Sequence, residues 1–292
     1  MKNFEYIKAT DLKSAFNILD QEKGRALPVA GTTNVMVDIR AGKINDCLLV
    51  NIKDIDVLTG FKYSRGKISI GALTTISEIA ESVLISKKAP ALWMAANTFA
   101  DPTTRNSATI GGNIAYASPA ADTAPALLAL GAEVLIGSKA GKRRVPISEF
   151  FVGVNKTVLE KNELVLAVEF AANNHSAFYK LGLRNAMAIS VATAAAAVRR
   201  DKLGNITHIA VAMGSVYKTP LRCYNVEKAL TGKSYINDKE MVKIIEKALI
   251  KDISPIDDVR ASAEYRLSVA PALVNRVIAK SCGMHIMEGG RK

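Results

Sequence analysis

Residues that carry redox chemistry or bind metals are scarce in this chain. Three cysteines, Cys47, Cys223 and Cys282, are scattered over 292 residues, and none forms a CxxC pair. A disulfide framework, a zinc knuckle and an iron–sulfur cluster held by this chain alone are therefore excluded. Histidine is equally sparse. His175, His208 and His285 stand apart, with neither HExxH nor other metal-ligand spacing, so no metal site is expected. Aromatic residues make up 6% of the chain and are not interleaved with its basic residues, as a stacking platform for single-stranded nucleic acid requires. The longest predominantly apolar run, Ala188 to Val198, is about half the roughly 20 residues that span a bilayer. The opening Met1 to Tyr6 has no signal-peptide apolar stretch. A soluble, reduced, cytoplasmic protein without a membrane span is expected. Neither an internal repeat nor a low-complexity segment is visible.

What the chain does contain is ordinary for a globular protein: 49% hydrophobic and 23% charged residues, which rules out a disordered chain. The length suggests two domains, or one domain built from subdomains. Lysine and arginine total 39 against 27 acidic residues, a formal charge of +12. Such a surface suits an anionic cofactor, an acidic partner subunit, nucleic acid, or only water. The one tight basic cluster is Lys142-Arg143-Arg144.

In the N-terminal part, helical spacing covers 12–19, and short strands are expected at 25–29, 46–52 and 67–70. Thr75 with Glu78 forms a capping-box signature ahead of a helix over 76–84. Pro90 opens a second helix over 91–99. A glycine turn at Gly111-Gly112 follows, and Ser118-Pro119 starts a helix that ends at Gly131. Strands at 132–136 and 164–170 flank the basic cluster, read as a loop. Beyond a polar break at 171–174, two strand-like runs, 188–199 and 206–216, form a hairpin across a polar turn. Helices follow near 225–230, 238–250 and 260–281. Strands first and helices after suggest an α+β domain with helices on one face of an antiparallel sheet.

The common catalytic signatures are missing. There is no GxGxxG and no GxSxG. Gly232-Lys233-Ser234 looks like the end of a P-loop, but Glu227 stands where the first glycine belongs. No residue is a candidate for catalysis. Two glycine-containing segments are more informative. In Leu27-Pro28-Val29-Ala30-Gly31-Thr32-Thr33-Asn34-Val35 a strand enters a tight turn whose small residues leave backbone N–H groups uncovered, which suits a phosphate or pyrophosphate. Read blandly, it is a strand-to-helix turn. In Thr109-Ile110-Gly111-Gly112-Asn113 adjacent glycines allow close approach to a ligand, with a hydroxyl and an amide beside them. Read blandly, this is a bulge or hairpin turn. Two such segments some 80 residues apart point to one shared diphosphate ligand. Asp122 either interacts with a helix dipole or accepts a hydrogen bond from a sugar-like hydroxyl.

These segments resemble the FAD-binding medium subunit of the molybdenum hydroxylases, the family of xanthine, carbon monoxide and nicotinate dehydrogenases. Residues 29–34 look like the family's AGGTD, 105–114 match its RNxATIGGNI closely, and 118–122 match its SPxxD. Gly214-Ser215-Val216, Pro220, Arg222, Glu227, Leu230 and Gly232, then residues 262–266, look like its C-terminal pattern. The resemblance implies an α+β fold: a two-subdomain FAD-binding domain (PCMH-type) over 1–171, subdivided near 55, then an α+β C-terminal domain over 172–292 with an antiparallel sheet and helices. It implies that 27–35 and 109–113 hold the pyrophosphate and ribityl chain and that Asp122 bonds that chain. Val165 would pack near adenine or flavin, Lys180 would approach the ring, and Phe99, Ala115 and Tyr116 would line it. Thr32 departs from the family's second glycine, and Asn34 from its acidic residue.

The same resemblance implies FAD in this chain, with molybdopterin on a large partner subunit and iron–sulfur clusters on a small one. The assembly would be a heterotrimer able to dimerise, with electrons delivered to NAD or another acceptor. Residues 181–190 look most like the xanthine dehydrogenase branch. Two rivals stay open: a self-contained flavoenzyme of the same superfamily, and a basic nucleic-acid-binding protein, which the resemblance disfavours.

Overall fold

The computed structural model describes residues 4–22, 24–184 and 187–284. Met1 to Asn3, Asn185, Ala186 and His285, on which some of the sequence readings fall, lie outside the described residues. The chain forms two compact units that do not follow one cut in the sequence. The first comprises 1–79, 101–117 and 132–171; the second comprises 80–100, 118–131 and 172–292.

The first unit holds two larger sheets. One is three-stranded and parallel, with Leu48–Asn51 in the centre, Glu5–Lys8 on one side and Ala26–Val29 on the other. Its central strand is apolar on both faces because both are covered. Leu48 and Val50 face the helix Leu12–Gln21 through Ala15 and Leu19, while Leu49 and Val29 face the short helix Val35–Arg40 through Ile39, Val35 and Met36. The turn joining Val29 to that helix therefore lies at the carboxyl end of a parallel strand, where open α/β sheets place their ligands.

The second sheet of this unit is antiparallel and five-stranded, in the spatial order 61–64, 67–71, 164–171, 133–138, 141–146. Lys142-Arg143-Arg144 lie on its edge strand Gly141–Pro146 rather than on a loop. Arg143 is paired with Glu163 (2.7 Å) and Arg144 with Glu169 (3.1 Å). Charged residues on an edge strand also deter edge-to-edge aggregation.

The second unit is built on an antiparallel sheet ordered 176–182, 190–200, 206–214, 221–222. The expected hairpin is present, but helices cover both faces of this sheet, not one. The helix Ala263–Ser281 packs on one face. The helices Pro90–Asn97 and Thr123–Ala129, from the earlier part of the chain, belong to the same unit and pack on its strands too. Double coverage explains why Ser190 to Val198 is buried at every position and why alanine dominates there, since small side chains let helices approach from both sides.

Several boundaries differ from expectation for identifiable reasons. The helix expected over 76–84 is two helices, Ile76–Glu81 and Val83–Lys88, because Ser82 leaves helical geometry and caps the second with a bond from Ile85 N–H. Gly111 and Gly112 are not a turn but lie inside the helix Ile110–Tyr116, capped by Thr109. The helix after Ser118-Pro119 begins only at Thr123, with Asp122 as its N-cap position. The last helix begins at Ala263, capped by Ser262. Arg266 on that helix is fully buried and bonded to Val191 O, Ile256 O and Asp258, which gives the 262–266 segment a structural role. Likewise Arg222 grips Glu227 with two bonds while Glu227 also accepts from Val211 N–H.

Candidate functional site

The two glycine segments meet within the first unit. A Cβ placed on Gly31 would lie 1.6 Å from Ser107 O and 2.4 Å from its carbonyl carbon. The backbone of the first turn is thus pressed onto the residues that lead into Thr109, and only glycine fits. The turn itself has an unusual hydrogen-bond account. Among the described residues, the N–H groups of Gly31, Thr32, Thr33, Asn34 and Val35 find no acceptor, while Thr32 O and Asn34 O accept from Met36 and Asp38 N–H. Successive unbonded N–H groups around a left-handed residue form a concave anion cradle, and Thr32 supplies that conformation with φ +55°. Asn34 makes no side-chain capping bond, so nothing occupies the cradle from within.

Thr109-Ile110-Gly111-Gly112-Asn113 has the opposite account. Ile110 N–H donates to Thr74 O (3.0 Å), Gly111 N–H to Ala72 O (2.9 Å), Gly112 N–H to Thr109 Oγ1 (3.1 Å) and Asn113 N–H to Thr109 O (2.9 Å). The N–H donors of 110–113 are thus used inside the protein, which leaves this segment close backbone approach and side-chain groups to offer a ligand. The two glycines serve different ends. A Cβ on Gly111 would meet Ala72 Cβ at 2.6 Å, whereas Gly112 is exposed and its Cβ would meet only Thr109 Oγ1, at 3.0 Å. Gly111 allows packing, and Gly112 leaves the helix surface at its position without a side chain.

The two helices that leave these segments are also joined. Tyr116 O–H donates to Asp38 Oδ2 (2.9 Å), and Asp38 is buried, with Lys43 at 3.3 Å. Burial and the nearby Asp38 push the Tyr116 phenol above its ordinary value, so it stays a donor at neutral pH. Of the other expected residues here, Leu27, Val29, Ala30 and Val35 pack into the cores flanking the three-stranded sheet. Pro28 sits on the strand opposite Val50, Ala115 is half-buried on the helix Ile110–Tyr116, and Val165 is buried on the central strand of the five-stranded sheet, opposite Ile136.

Phe99, Asp122 and Lys180 belong to the second unit. There Lys180 Nζ donates to Asp122 Oδ2 (2.6 Å) and to Thr98 O (3.1 Å), next to half-buried Phe99. Ser190 O–H donates to the other Asp122 oxygen. Burial pushes the Asp122 carboxyl up, against the pull of Lys180 and Ser190. The structure therefore brings these residues together, with the carboxyl engaged by partners of its own. Sequence reasoning missed Asp38 and Ser190. No local pattern marks either, because each acts on a residue more than 60 positions away. Among the described residues no cluster of three His, Cys, Asp or Glu side chains could hold a metal ion, and no helix is long and apolar enough to cross a membrane.

Comparison with known proteins decides what this arrangement belongs to. Residues 2–171 match the family described as the FAD binding domain in molybdopterin dehydrogenase, and residues 177–281 match the CO dehydrogenase flavoprotein C-terminal domain. The chain belongs to the FAD-binding subunits of the molybdenum hydroxylases. This flavoprotein is 32% identical to the xanthine dehydrogenase FAD-binding subunit of Escherichia coli O157:H7, over 94% of this chain and 95% of that one. It is also 32% identical to the glyceraldehyde dehydrogenase medium chain of Sulfolobus acidocaldarius, over 92% and 95%. The carbon monoxide dehydrogenase structure from Hydrogenophaga pseudoflava superposes with a TM-score of 0.91 at 29% identity, covering 96% of this chain and 98% of that one. The flavoprotein is thus an oxidoreductase subunit with FAD as its cofactor, and the unbonded N–H donors at 31–35 have the chemistry to receive an anionic group such as a pyrophosphate.

Proposed function

We propose that the chain is the electron-transfer subunit of a multi-subunit molybdenum hydroxylase, taking electrons from an iron–sulfur subunit and delivering them to NAD or another acceptor. The observation that carries this reading is the row of unbonded N–H groups from Gly31 to Val35, at the carboxyl end of a parallel strand and pressed against the Ser107–Thr109 segment. Those donors would hold the pyrophosphate, with the exposed Gly112 leaving room for the cofactor and Ala115 and Tyr116 lining it. Bound there, FAD supplies both one-electron and two-electron exchange. The protein's part is to bind and orient, and no side chain of this chain is required as a general acid or base.

Phe99, Asp122 and Lys180 are proposed as cofactor residues on the likeness of 118–122 to SPxxD. The proposed partners are a large molybdopterin-binding subunit and a small iron–sulfur subunit, assembled as a heterotrimer able to dimerise in the cytoplasm. Nucleic acid is not proposed among them, and Arg143 and Arg144 of the Lys142–Arg144 run pair with Glu163 and Glu169. Within the family the xanthine dehydrogenase branch is favoured by residues 181–190. Relatives named for different substrates share the same 32% identity, so overall likeness does not choose among them.

The test is gentle co-purification of the complex with flavin spectroscopy and metal analysis. A yellow chain that co-purifies with molybdenum and iron, inactive alone and active in the complex, is the expected result. Turnover by the isolated chain would favour a self-contained flavoenzyme. A chain that takes up no FAD would sink the reading.

A further inference from the structure

The cradle 31–35 is poorly secured by its own backbone. Its N–H groups are unbonded, its left-handed residue is a threonine, and the helix that follows, Val35–Arg40, is only six residues long and lacks a side-chain cap. A loop of this kind keeps its shape only if its flanks are held. Upstream it continues from the strand Ala26–Val29, and in the middle Gly31 rests on Ser107 O. Downstream, the buried Asp38 carboxyl accepts from Tyr116 O–H and is paired with the largely exposed Lys43.

Tyr116 is fixed in turn. Its helix is held at the start by Ile110 N–H to Thr74 O and Gly111 N–H to Ala72 O, and at the end by Asn155. The Asn155 Nδ2 donates to Tyr116 O (2.9 Å), and Asn155 N–H donates to Ala117 O (3.0 Å). Asn155 and Ala117 both adopt left-handed backbone, at φ +52° and +51°, a conformation kept only where surroundings determine it. The rigid helix carries the phenol, and the phenol reaches the weakly held one.

We propose that Tyr116 is a positioning residue for FAD: through Asp38 it holds the helix Val35–Arg40, and so the N–H groups of 31–35, in the geometry that receives the pyrophosphate. This rests on the reading of 31–35 as the cofactor cradle. Asp38 transmits the constraint and Asn155 supplies its anchor. The gain is preorganisation: ordering that would otherwise oppose binding is already done in the free protein.

The experiment uses the full chain stripped of flavin and titrated with FAD, following flavin fluorescence for Kd and stopped-flow for the off-rate. Tyr116→Phe keeps the ring and removes only the donor. It is expected to raise the FAD Kd about tenfold, mainly through the off-rate, as removal of one hydrogen bond to a charged group does. Asp38→Ala, which removes the acceptor, is expected to do the same, and the double variant to be no worse than either single one, the mark of two residues acting through one bond. Far-UV melts of the flavin-free variants run alongside. A Kd loss with folding intact, together with an altered visible circular dichroism of saturated flavin, is the positioning signature. If wild type binds FAD and Tyr116→Phe binds it equally well, or if the two substitutions add fully, the inference is overturned. If wild type itself binds no FAD, the cofactor reading fails instead, so the two failures are distinguishable.

Discussion

Thr32 offers the sharpest test of how this site is built. It holds φ at +55°, where a β-branched residue is a genuine outlier, at the position where the family pattern has glycine. Left-handed backbone costs an L-residue about 1–2 kcal/mol. Glycine would remove that strain but loses about 0.5–1 kcal/mol more conformational entropy on folding. Thr32→Gly should therefore stabilise the protein by about 0.5–1 kcal/mol, the difference of the two terms, which for a chain of this size is a rise of roughly one to four degrees in Tm. The strain is present with and without cofactor, so Tm should rise in both forms while the FAD Kd stays within about threefold, under 0.7 kcal/mol. Thr32→Val keeps the branching and drops the hydroxyl, and should give no gain. The assays are thermal melts of flavin-free and flavin-loaded chain and an FAD titration. A loss of stability on Thr32→Gly, or an equal gain on Thr32→Val, would refute the strain argument.

Other expectations follow from the same geometry. Gly31→Ala puts a methyl into Ser107 O and should abolish FAD binding and destabilise the chain by several kcal/mol, on the order of the cost of forced overpacking; a variant that melts like wild type would contradict the close approach. Gly112→Ala should leave the flavin-free chain as stable as before or more so, by up to about 1 kcal/mol of helix propensity, yet weaken FAD binding because the new methyl faces the proposed ligand surface. Lys180→Met leaves the buried Asp122 carboxyl without its cation and should cost about 3–5 kcal/mol in urea melts, much of it recovered by adding Asp122→Asn. Glu163 is held below its ordinary value of 4.5, chiefly by the Arg143 hydrogen bond. A depressed carboxyl stabilises the fold above its unfolded pKa and loses that contribution as pH falls through the folded one. Stability should thus hold from pH 7 to about 5 and decline below 4.5, and Glu163→Gln should flatten that decline.

The sequence alone was enough for the class of the protein and for the chain segments that matter. Helix starts at Pro90 and at 238–239, the strands near 26–29 and 164–171, and the hairpin between 190 and 214 are written in residues a few positions apart, where capping, proline and apolar periodicity act. The glycine segments at 29–35 and 105–114 were legible for the same reason. Which donors are free was not. Both segments read as backbone open to a ligand, but in the second Ala72 and Thr109 consume the N–H groups of Gly111 and Gly112. The turn after Val29 keeps its donors open because no segment among the described residues arrives to satisfy them. Tertiary structure likewise decided that Arg143 and Arg144 are paired across a sheet, that Asp122 meets Lys180 and Ser190, and that helices 90–97 and 123–129 join the C-terminal sheet. Backbone preference is local, within about one helical turn. Hydrogen-bond satisfaction and charge pairing depend on which distant residue is brought alongside, and only the folded chain determines that.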